Sequence, residues 1–282
     1  MVLTTVGILA ALALQQVDTT VTIERGGRLE VDNFDGTVEI TTWSKNAVRV
    51  QANPSRRTEV EVESGGGVVQ VHSMGHRGPG NVDYRITVPA AIDVSVNGHS
   101  GDVKVDGPTG EISVETVEGS ITARGGGGFV SLRSVEGDIT LTKSKARAEL
   151  NSVEGVIRVI DLVGELSAQT VDGEIVLDGV DGPSVQATTV DGDISFRGTL
   201  KDGGRYRFNS HDGSITVTVP QVNGTLLVST FDGGFESDFP LTLTGTRSSQ
   251  RLNFTLGSGN VRLELESFDG SINLRRAGSQ KQ

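Results

Sequence analysis

A short motif, an apolar or aromatic residue followed by an acid and a glycine, recurs along this chain at a nearly fixed interval. Four of its glycines, Gly119, Gly137, Gly155 and Gly173, are each 18 residues apart. The series continues with slightly longer steps at Gly192, Gly213 and Gly233, and it recurs near the ends at Gly36 and Gly270. A repeat this short is typical of a solenoid, because one repeat can bury its apolar face only against its neighbours.

Each repeat contains two strand-like segments separated by a weaker spacing of nine residues. After the motif glycines the residues alternate between apolar and polar, which is the signal of a half-buried strand. The residues expected to point inward are Ile112, Ile121, Val130, Ile139, Leu141, Leu150, Ile157, Val159, Leu166, Ile175, Leu177, Val185, Ile194, Phe196, Phe208, Ile215, Val217 and Leu226. The sequence therefore predicts an all-β, single-chain parallel β-solenoid with about 18 residues per coil and about 4.8 Å between coils.

A left-handed hexapeptide helix also has coils of about this length and must be weighed against this prediction. It requires an aliphatic residue at every sixth position. Six residues beyond Ile121 stands Gly127, and six beyond Ile139 stands Lys145. The hexapeptide alternative therefore fails.

The chain is expected to have four parts. Residues 1–16 form a signal peptide: the segment from Val2 to Leu14 is apolar and uncharged, and it is too short for a bilayer span of about 20 residues. Residues 17–98 form an N-terminal cap and irregular coils, residues 99–275 form the regular solenoid, and residues 276–282 form a flexible tail. No later stretch could cross a membrane, so we expect an exported protein that is periplasmic, at the cell surface or extracellular.

Composition excludes several classes of function. The formal net charge is −11, and no basic run with interleaved aromatic residues occurs, so nucleic acid is not an expected partner. The chain has no cysteine, which excludes disulfides, thiolate metal sites and cysteine nucleophiles. No serine, histidine and acid in a catalytic spacing can be named, and no catalytic residue is assigned.

Several segments resemble a known group of proteins. These are Gly27-x-Leu29-x-Val31-x-Asn33, the segment from Gly36 to Ile40 with Trp43, and Tyr84-x-Ile86-x-Val88-Pro89, together with the repeated Gly-x-Ile units. In these the chain resembles the bacterial putative-adhesin family of β-strand repeat proteins, DUF4097. The resemblance covers nearly the whole mature chain and implies export and a right-handed β-solenoid. It implies no catalytic residues.

The acids of the motif are expected to form a ladder along one corner of the solenoid. They are Glu118, Glu136, Glu154, Asp172, Asp191, Asp212 and Asp232. One interpretation is a strip that binds Ca²⁺ or a cationic ligand, since hard cations take several carboxylate oxygens. The other interpretation is turn chemistry alone, a polar residue before a glycine with positive φ. We expect no cofactor, with Ca²⁺ as the one candidate.

A second ladder of hydroxyls lies two positions before the acids. It comprises Thr116, Ser134, Ser152, Thr170, Thr189, Ser210, Thr230 and Ser267. These hydroxyls are expected to bond one another along the stack, and the alternative is an array that faces a glycan or ice.

Four isolated residues have individual interpretations. His72 and His76 could reach one metal ion only if their loop folded suitably, and no acid or sulfur ligand lies between them. His211 occupies the apolar position of the motif and is interpreted as a packed substitute for valine. Trp43 is interpreted as a core or cap residue rather than a sugar platform.

These observations favour a non-catalytic binding or scaffolding module of the cell envelope, with an envelope protein or a polysaccharide as partner. The alternatives are a structural protein that self-associates edge to edge or works with a membrane sensor, and a β-helix enzyme acting on glycans. An uncapped edge would favour assembly, exposed aromatic residues would favour binding, and facing carboxylates in a cleft would favour catalysis.

Overall fold

The computed structural model describes residues 16–55, 58–75, 80–243 and 251–278. Almost all of the predicted signal peptide therefore lies outside the described residues. The described part of the chain is built from strands and contains no helix, and accordingly none that is long and apolar enough to cross a membrane. The chain divides into two compact units, Met1–Gly137 and Asp138–Gln282, which are described in turn.

Unit 1 is formed by the first twelve strands. They are β1 (Val17–Thr22), β2 (Arg28–Asp35), β3 (Val38–Trp43), β4 (Ala47–Pro54), β5 (Thr58–Gly65), β6 (Val68–Gly75), β7 (Val82–Pro89), β8 (Asp93–Ser100), β9 (Val103–Asp106), β10 (Ile112–Glu118), β11 (Ile121–Arg124) and β12 (Gly127–Glu136).

These strands form two sheets. Sheet 1A has the order β1-β4-β7-β3-β9-β11, and sheet 1B has the order β5-β6-β2-β8-β10-β12. The regular repeats pair in parallel, and hydrogen bonds join residues 18 apart in sequence, such as Arg133 and Glu115. The repeat β2–β3 comes first in sequence but lies inside the stack, between β6–β7 and β8–β9, because the chain turns back through antiparallel β4 and β5.

Unit 2 is formed by the remaining strands. They are β13 (Ile139–Asn151), β14 (Ile157–Leu162), β15 (Leu166–Gln169), β16 (Ile175–Val180), β17 (Ser184–Asp191), β18 (Ile194–Gly198), β19 (Arg205–Asp212), β20 (Ile215–Val219), β21 (Gly224–Asp232), β22 (Phe235–Ser237), β23 (Thr242–Leu243), β24 (Arg251–Leu256), β25 (Val261–Asp269) and β26 (Ile272–Arg276).

Unit 2 also has two sheets, and β13 contributes one half to each. Sheet 2A has the order β13-β14-β16-β18-β20-β26-β22, and sheet 2B has the order β13-β15-β17-β19-β25-β21-β24-β23. Here the repeat that comes last in sequence, β25–β26, lies inside the stack between β19–β20 and β21–β22. The last two strands of sheet 2B, β24 and β23, are antiparallel.

The core of each unit consists of rows of aliphatic side chains contributed by successive repeats. Every residue predicted to point inward is buried. In sheet 2A, for example, Ile139 pairs with Ile157 and Ile157 with Ile175, so identical side chains stack in register. Burying one such side chain contributes about 1.5–3 kcal/mol. The apolar rows are narrow and are separated by short turns because the sequence repeats after so few residues.

The outermost described strands are short, acidic or antiparallel. β5 exposes or half-exposes Glu59, Glu61 and Glu63 at the end of sheet 1B. In unit 2, β22 has three residues and β23 has two. Charge and shortness are the usual means by which natural sheets prevent pairing at an edge, so the edges at β5, β22 and β23 do not favour edge-to-edge assembly.

Candidate binding surface

The repeated motif lies at the corner between the two sheets of each unit. In β10, Val114 and Thr116 are buried, whereas Val117 and Glu118 are exposed. The chain then turns at Gly119, whose φ is 132°. Both the apolar residue and the acid of the motif therefore point to solvent, and only the residue before them faces the core.

The corner glycine is required by a close approach between repeats. The N–H of Gly173 donates to the carbonyl oxygen of Asp191 at 2.8 Å, and equivalent bonds recur at the other corners. A Cβ added to Gly173 would overlap the carbonyl oxygen of Gly155, and its φ of 152° is one that other residues rarely adopt. The backbone alone forms this turn, so the exposed carboxylate is not needed to make it.

The hydroxyl ladder is buried, and its members bond to the backbone rather than to each other. Ser134, Ser210 and Ser267 each donate to the carbonyl oxygen of a corner glycine, at 3.1, 2.9 and 2.9 Å. Thr116, Ser152, Thr170 and Thr189 are buried as well. The expectation of hydroxyl-to-hydroxyl bonds was wrong for these residues, and burial excludes them as a glycan- or ice-facing array.

An exposed row of apolar and aromatic side chains follows the corner of each unit; we call it the corner row. In unit 1 it comprises Phe34, His99, Val117 and Val135, and in unit 2 it comprises Val153, Val171, Val190, His211, Phe268 and Phe231. Of the exposed large hydrophobic residues in the described chain, only Met74 and Val163 lie outside it. Surface apolar residues usually occur singly, so a row of this kind is a candidate binding surface.

The corner row ends in stacked rings. In unit 2 the ring centroids of His211 and Phe268 are 4.9 Å apart, and those of Phe268 and Phe231 are 4.7 Å apart with the planes tilted by 3°. Phe268 and Phe231 remain 47% and 60% exposed. In unit 1 Phe34 stacks on His99 at 4.6 Å. His211 stands at the position of the motif valines, as interpreted from the sequence, and its exposed ring stacks on that of Phe268.

A row of carboxylates runs beside the corner row. In unit 2 the residues that pair in register are Glu154, Asp172, Asp191, Asp212, Asp269 and Asp232. In unit 1 Glu118 pairs with Glu136 on one side and with Ser100 on the other. The insertion of β25 places Asp269 between Asp212 and Asp232, which the sequence order does not reveal.

These carboxylates are exposed and, within the described chain, none of the six in unit 2 takes part in an ion pair. Neighbouring strands are about 4.8 Å apart, so adjacent carboxylates line up along the stack. The described residues contain no group of three or more His, Cys, Asp or Glu side chains arranged to hold a metal ion.

The other singled-out residues have local partners. His72 Nδ1 lies 2.9 Å from a carboxylate oxygen of Asp32, while His76 lies outside the described residues. Trp43 is half-buried at the end of β3; its Nε1 donates to the carbonyl oxygen of Ala47 at 2.7 Å, and Lys45 Nζ lies 4.9 Å from its ring.

A depression of about 350 Å³ in unit 1 is lined by three acids, but all of them are already engaged. Asp18 accepts hydrogen bonds from Arg49, which hold the pKa of this carboxyl below its ordinary value. Glu39 pairs with Arg85 and Lys104, and Asp83 accepts from the N–H and the hydroxyl of Thr37. A general acid needs a raised pKa, so Asp18, whose pKa is lowered, does not fit that role.

The fold and the corner row together define a class: an all-β, solenoid-like repeat protein with an exposed apolar corner. The family described as Toastrack DUF4097 matches residues 11–275, so the chain belongs to this family, and the resemblance seen in the sequence is confirmed.

Solved structures of similar proteins include three from Bacteroides and Parabacteroides species. One, titled as a putative adhesin from Bacteroides fragilis, has 13% identity and a TM-score of 0.47, with 93% of this chain and 97% of that chain covered. A second, titled as a putative adhesin from Parabacteroides distasonis, has 10% identity and a TM-score of 0.45, covering 92% and 97%. A third, from the same organism, is titled as a putative lipid binding protein, with 9% identity, a TM-score of 0.39 and coverage of 92% and 97%. A search of the curated proteins finds no match.

Proposed function

We propose that this protein is a non-catalytic binding or scaffolding module, exported to the cell envelope, that binds an envelope protein or polysaccharide through its corner row. The observation that carries this proposal is the exposure of Phe231 and Phe268 in a continuous row of apolar side chains. Exposed aromatic residues supply large contact area at little conformational cost, and they are enriched where proteins bind partners. Two of the proteins with similar solved structures are described as putative adhesins, which agrees with such a role.

The repeat geometry is part of the same proposal. We take the repeats to wind as a right-handed solenoid with about 18 residues per coil. Register pairs separated by 18 residues support the coil length, and parallel strands joined by crossovers are almost always right-handed. Residues 1–16 would be removed on export, and N-terminal sequencing of the protein recovered from the cell envelope would identify the cleavage site.

The test of binding is co-sedimentation of residues 17–282 with envelope fractions and with purified polysaccharides. The wild-type protein should sediment with at least one fraction. A variant with Phe231→Ser and Phe268→Ser should lose most of this retention, because it removes the stacked rings without touching the core. The matched control is Met74→Ser with Val163→Ser, which removes two exposed hydrophobic residues outside the corner row and should bind normally.

A chelator arm tests the role of Ca²⁺ at the carboxylate row. If Ca²⁺ bridges the carboxylates to the partner, a chelator should release the protein, and changing Glu136, Glu154 and Asp172 to their amides should do the same. Retention that is unaffected by the chelator would limit the binding surface to the corner row. A protein that stays in the supernatant with every fraction would contradict the proposed function.

A further inference from the structure

The outer face of sheet 2B carries a group of arginines that is separate from the corner row. Strands β19 and β25 pair in parallel, with Arg205 opposite Arg262 and Arg207 opposite Glu264. These side chains point outward, because the intervening Tyr206 and its partner in β25 are buried. We call Arg205, Arg207 and Arg262 the arginine cluster.

The carboxylate of Glu264 forms ion pairs with two members of the arginine cluster. Glu264 lies 2.7 Å from Arg207 Nη2 and 2.6 Å from Arg262 Nε. Burial by itself would raise the pKa of Glu264, but the hydrogen bonds and charges of the two guanidinium groups outweigh it, and the pKa falls below its ordinary value. Glu264 is therefore ionised at neutral pH and neutralises one of the three positive charges.

Arg205 contributes a charge that has no counterpart in the described chain. It is exposed, and no ion pair or side-chain hydrogen bond to another described residue involves its guanidinium. It also stands directly across from Arg262, and like charges on opposed strand positions are destabilising. The arginine cluster and Glu264 carry three positive charges and one negative charge, and Glu266 is the next outward-facing residue of β25. In a protein with a net charge of −11, this concentration of guanidinium groups is a candidate site for an anionic group.

The arginine cluster borders a depression with further hydrogen-bonding groups. Ser184 and Gln186 of β17 stand opposite Arg205 and Arg207. Together these residues and Glu264 line a depression of about 320 Å³ on the sheet face. The depression thus combines guanidinium donors with a hydroxyl, an amide and a carboxylate.

We propose that the arginine cluster binds the carboxylate groups of an acidic polysaccharide. The planar guanidinium forms paired hydrogen bonds with a carboxylate, while Ser184, Gln186 and the free lone pairs of Glu264 match sugar hydroxyls. A nucleic acid or an anionic membrane presents densely packed phosphates, whose binding needs many clustered cations. A polymer with one carboxylate per sugar and neutral hydroxyls between the carboxylates fits three arginines and their polar neighbours. This site does not depend on the corner row.

The test compares polygalacturonate with its fully methyl-esterified form, which has the same backbone without the charge. The full mature chain should bind polygalacturonate, measured by calorimetry at low salt, and bind the ester at least tenfold more weakly. Arg205→Gln with Arg262→Gln should raise the dissociation constant at least tenfold. The matched control is Arg158→Gln with Arg197→Gln, which removes two exposed arginines from sheet 2A and should change it less than twofold.

Two supplementary variants make the outcome unambiguous. Arg205→Gln alone removes no described side-chain contact and relieves the repulsion between Arg205 and Arg262, so it should weaken binding while leaving the melting temperature unchanged or slightly raised. Phe231→Ser with Phe268→Ser should bind polygalacturonate normally, which separates this site from the proposed function. The proposal is overturned if charged and esterified polymers bind equally, if both arginine pairs lose binding equally, or if the cluster variant loses binding only to phosphatidylglycerol vesicles, which would indicate a lipid ligand.

Discussion

Ser267 and Thr230 occupy the same position in neighbouring repeats but differ in their hydrogen bonds. Ser267 Oγ donates to the carbonyl oxygen of Gly213 at 2.9 Å, whereas Thr230 Oγ1 is buried without a partner in the described structure. Ser267→Ala should lower the free energy of unfolding by about 1 kcal/mol. Thr230→Val keeps the shape and removes an unsatisfied group, so it should be neutral or stabilising. Urea denaturation of both variants tests this, and an equal loss in both would contradict the assigned role of the hydroxyl ladder.

Both tyrosines of the chain are buried, which predicts an alkaline limit to stability. Burial raises the pKa of Tyr84 far above the ordinary value of 10.0, and it also raises that of Tyr206, although a hydrogen bond from the backbone of Lys201 opposes the shift. Below pH 10 both tyrosines are protonated in the folded and unfolded states alike. Above pH 10 the unfolded state loses these protons first, so the free energy of unfolding should fall as the pH rises.

Absorbance of tyrosinate measured together with circular dichroism tests this linkage. Ionisation should appear only as the fold is lost, and Tyr84→Phe should shift that transition to higher pH. Smooth ionisation of both tyrosines near pH 10 in the folded protein would contradict their burial.

The alternation of apolar and polar residues predicts which residues enter the core, and it also predicts the exposure of the motif. Simple alternation from Ile112 places Val114 and Thr116 inside and Val117 outside, so the signal was present. The apolar type of Val117 does not by itself reveal this exposure, and His211, interpreted as a packed substitute for valine, stands at the equivalent exposed position. The apolar side chain of Val117 suggests burial, whereas its place in the inward and outward alternation of the strand indicates exposure. The structure agrees with the alternation.

At the scale of strands, the last repeat in sequence is not the last repeat in the stack. β26 lies between β20 and β22, and β25 lies between β19 and β21. Chain termini usually fray, but strands that pair on both sides should be protected. Amides of residues 261–276 should therefore exchange with solvent as slowly as those of residues 205–219, measured by hydrogen exchange and mass spectrometry. Fast exchange confined to residues 261–276 would contradict the insertion.

This insertion shows where sequence reasoning reaches its limit. The period of the motif identifies each repeat and its strands, because it depends on local turns and alternation. The order of repeats in the stack depends on pairings between distant segments, such as Arg207 with Glu264, which are 57 residues apart. No local pattern encodes that pairing. The arginine cluster was therefore invisible in the sequence, although each of its residues has an ordinary strand position.

At the scale of the whole molecule, the net charge of −11 is not spread evenly over the surface. The carboxylate row of unit 2 stacks six acids in register, with no ion pair to relieve it among the described residues. Like charges opposite one another on neighbouring strands cost about 0.2–1 kcal/mol per pair. Packing of the core offsets this repulsion. The carboxylate row produces a negative electrostatic field beside the corner row, and this field attracts cations and repels anionic surfaces.

Relief of this repulsion should stabilise the protein. Asp191→Asn with Asp212→Asn removes two neighbouring charges from the row, and should raise the free energy of unfolding by about 1 kcal/mol at low salt, with a smaller gain at high salt because screening already reduces the repulsion. Asp178→Asn with Asp202→Asn is a control of equal charge outside the row.

In the wild type, Ca²⁺ should raise the melting temperature more than sodium chloride of equal ionic strength if the row binds it, and this difference should vanish in the row variant. Equal effects of the two salts would show that the carboxylate row only experiences screening, and a row variant less stable than the control would show that these carboxylates support the corner after all.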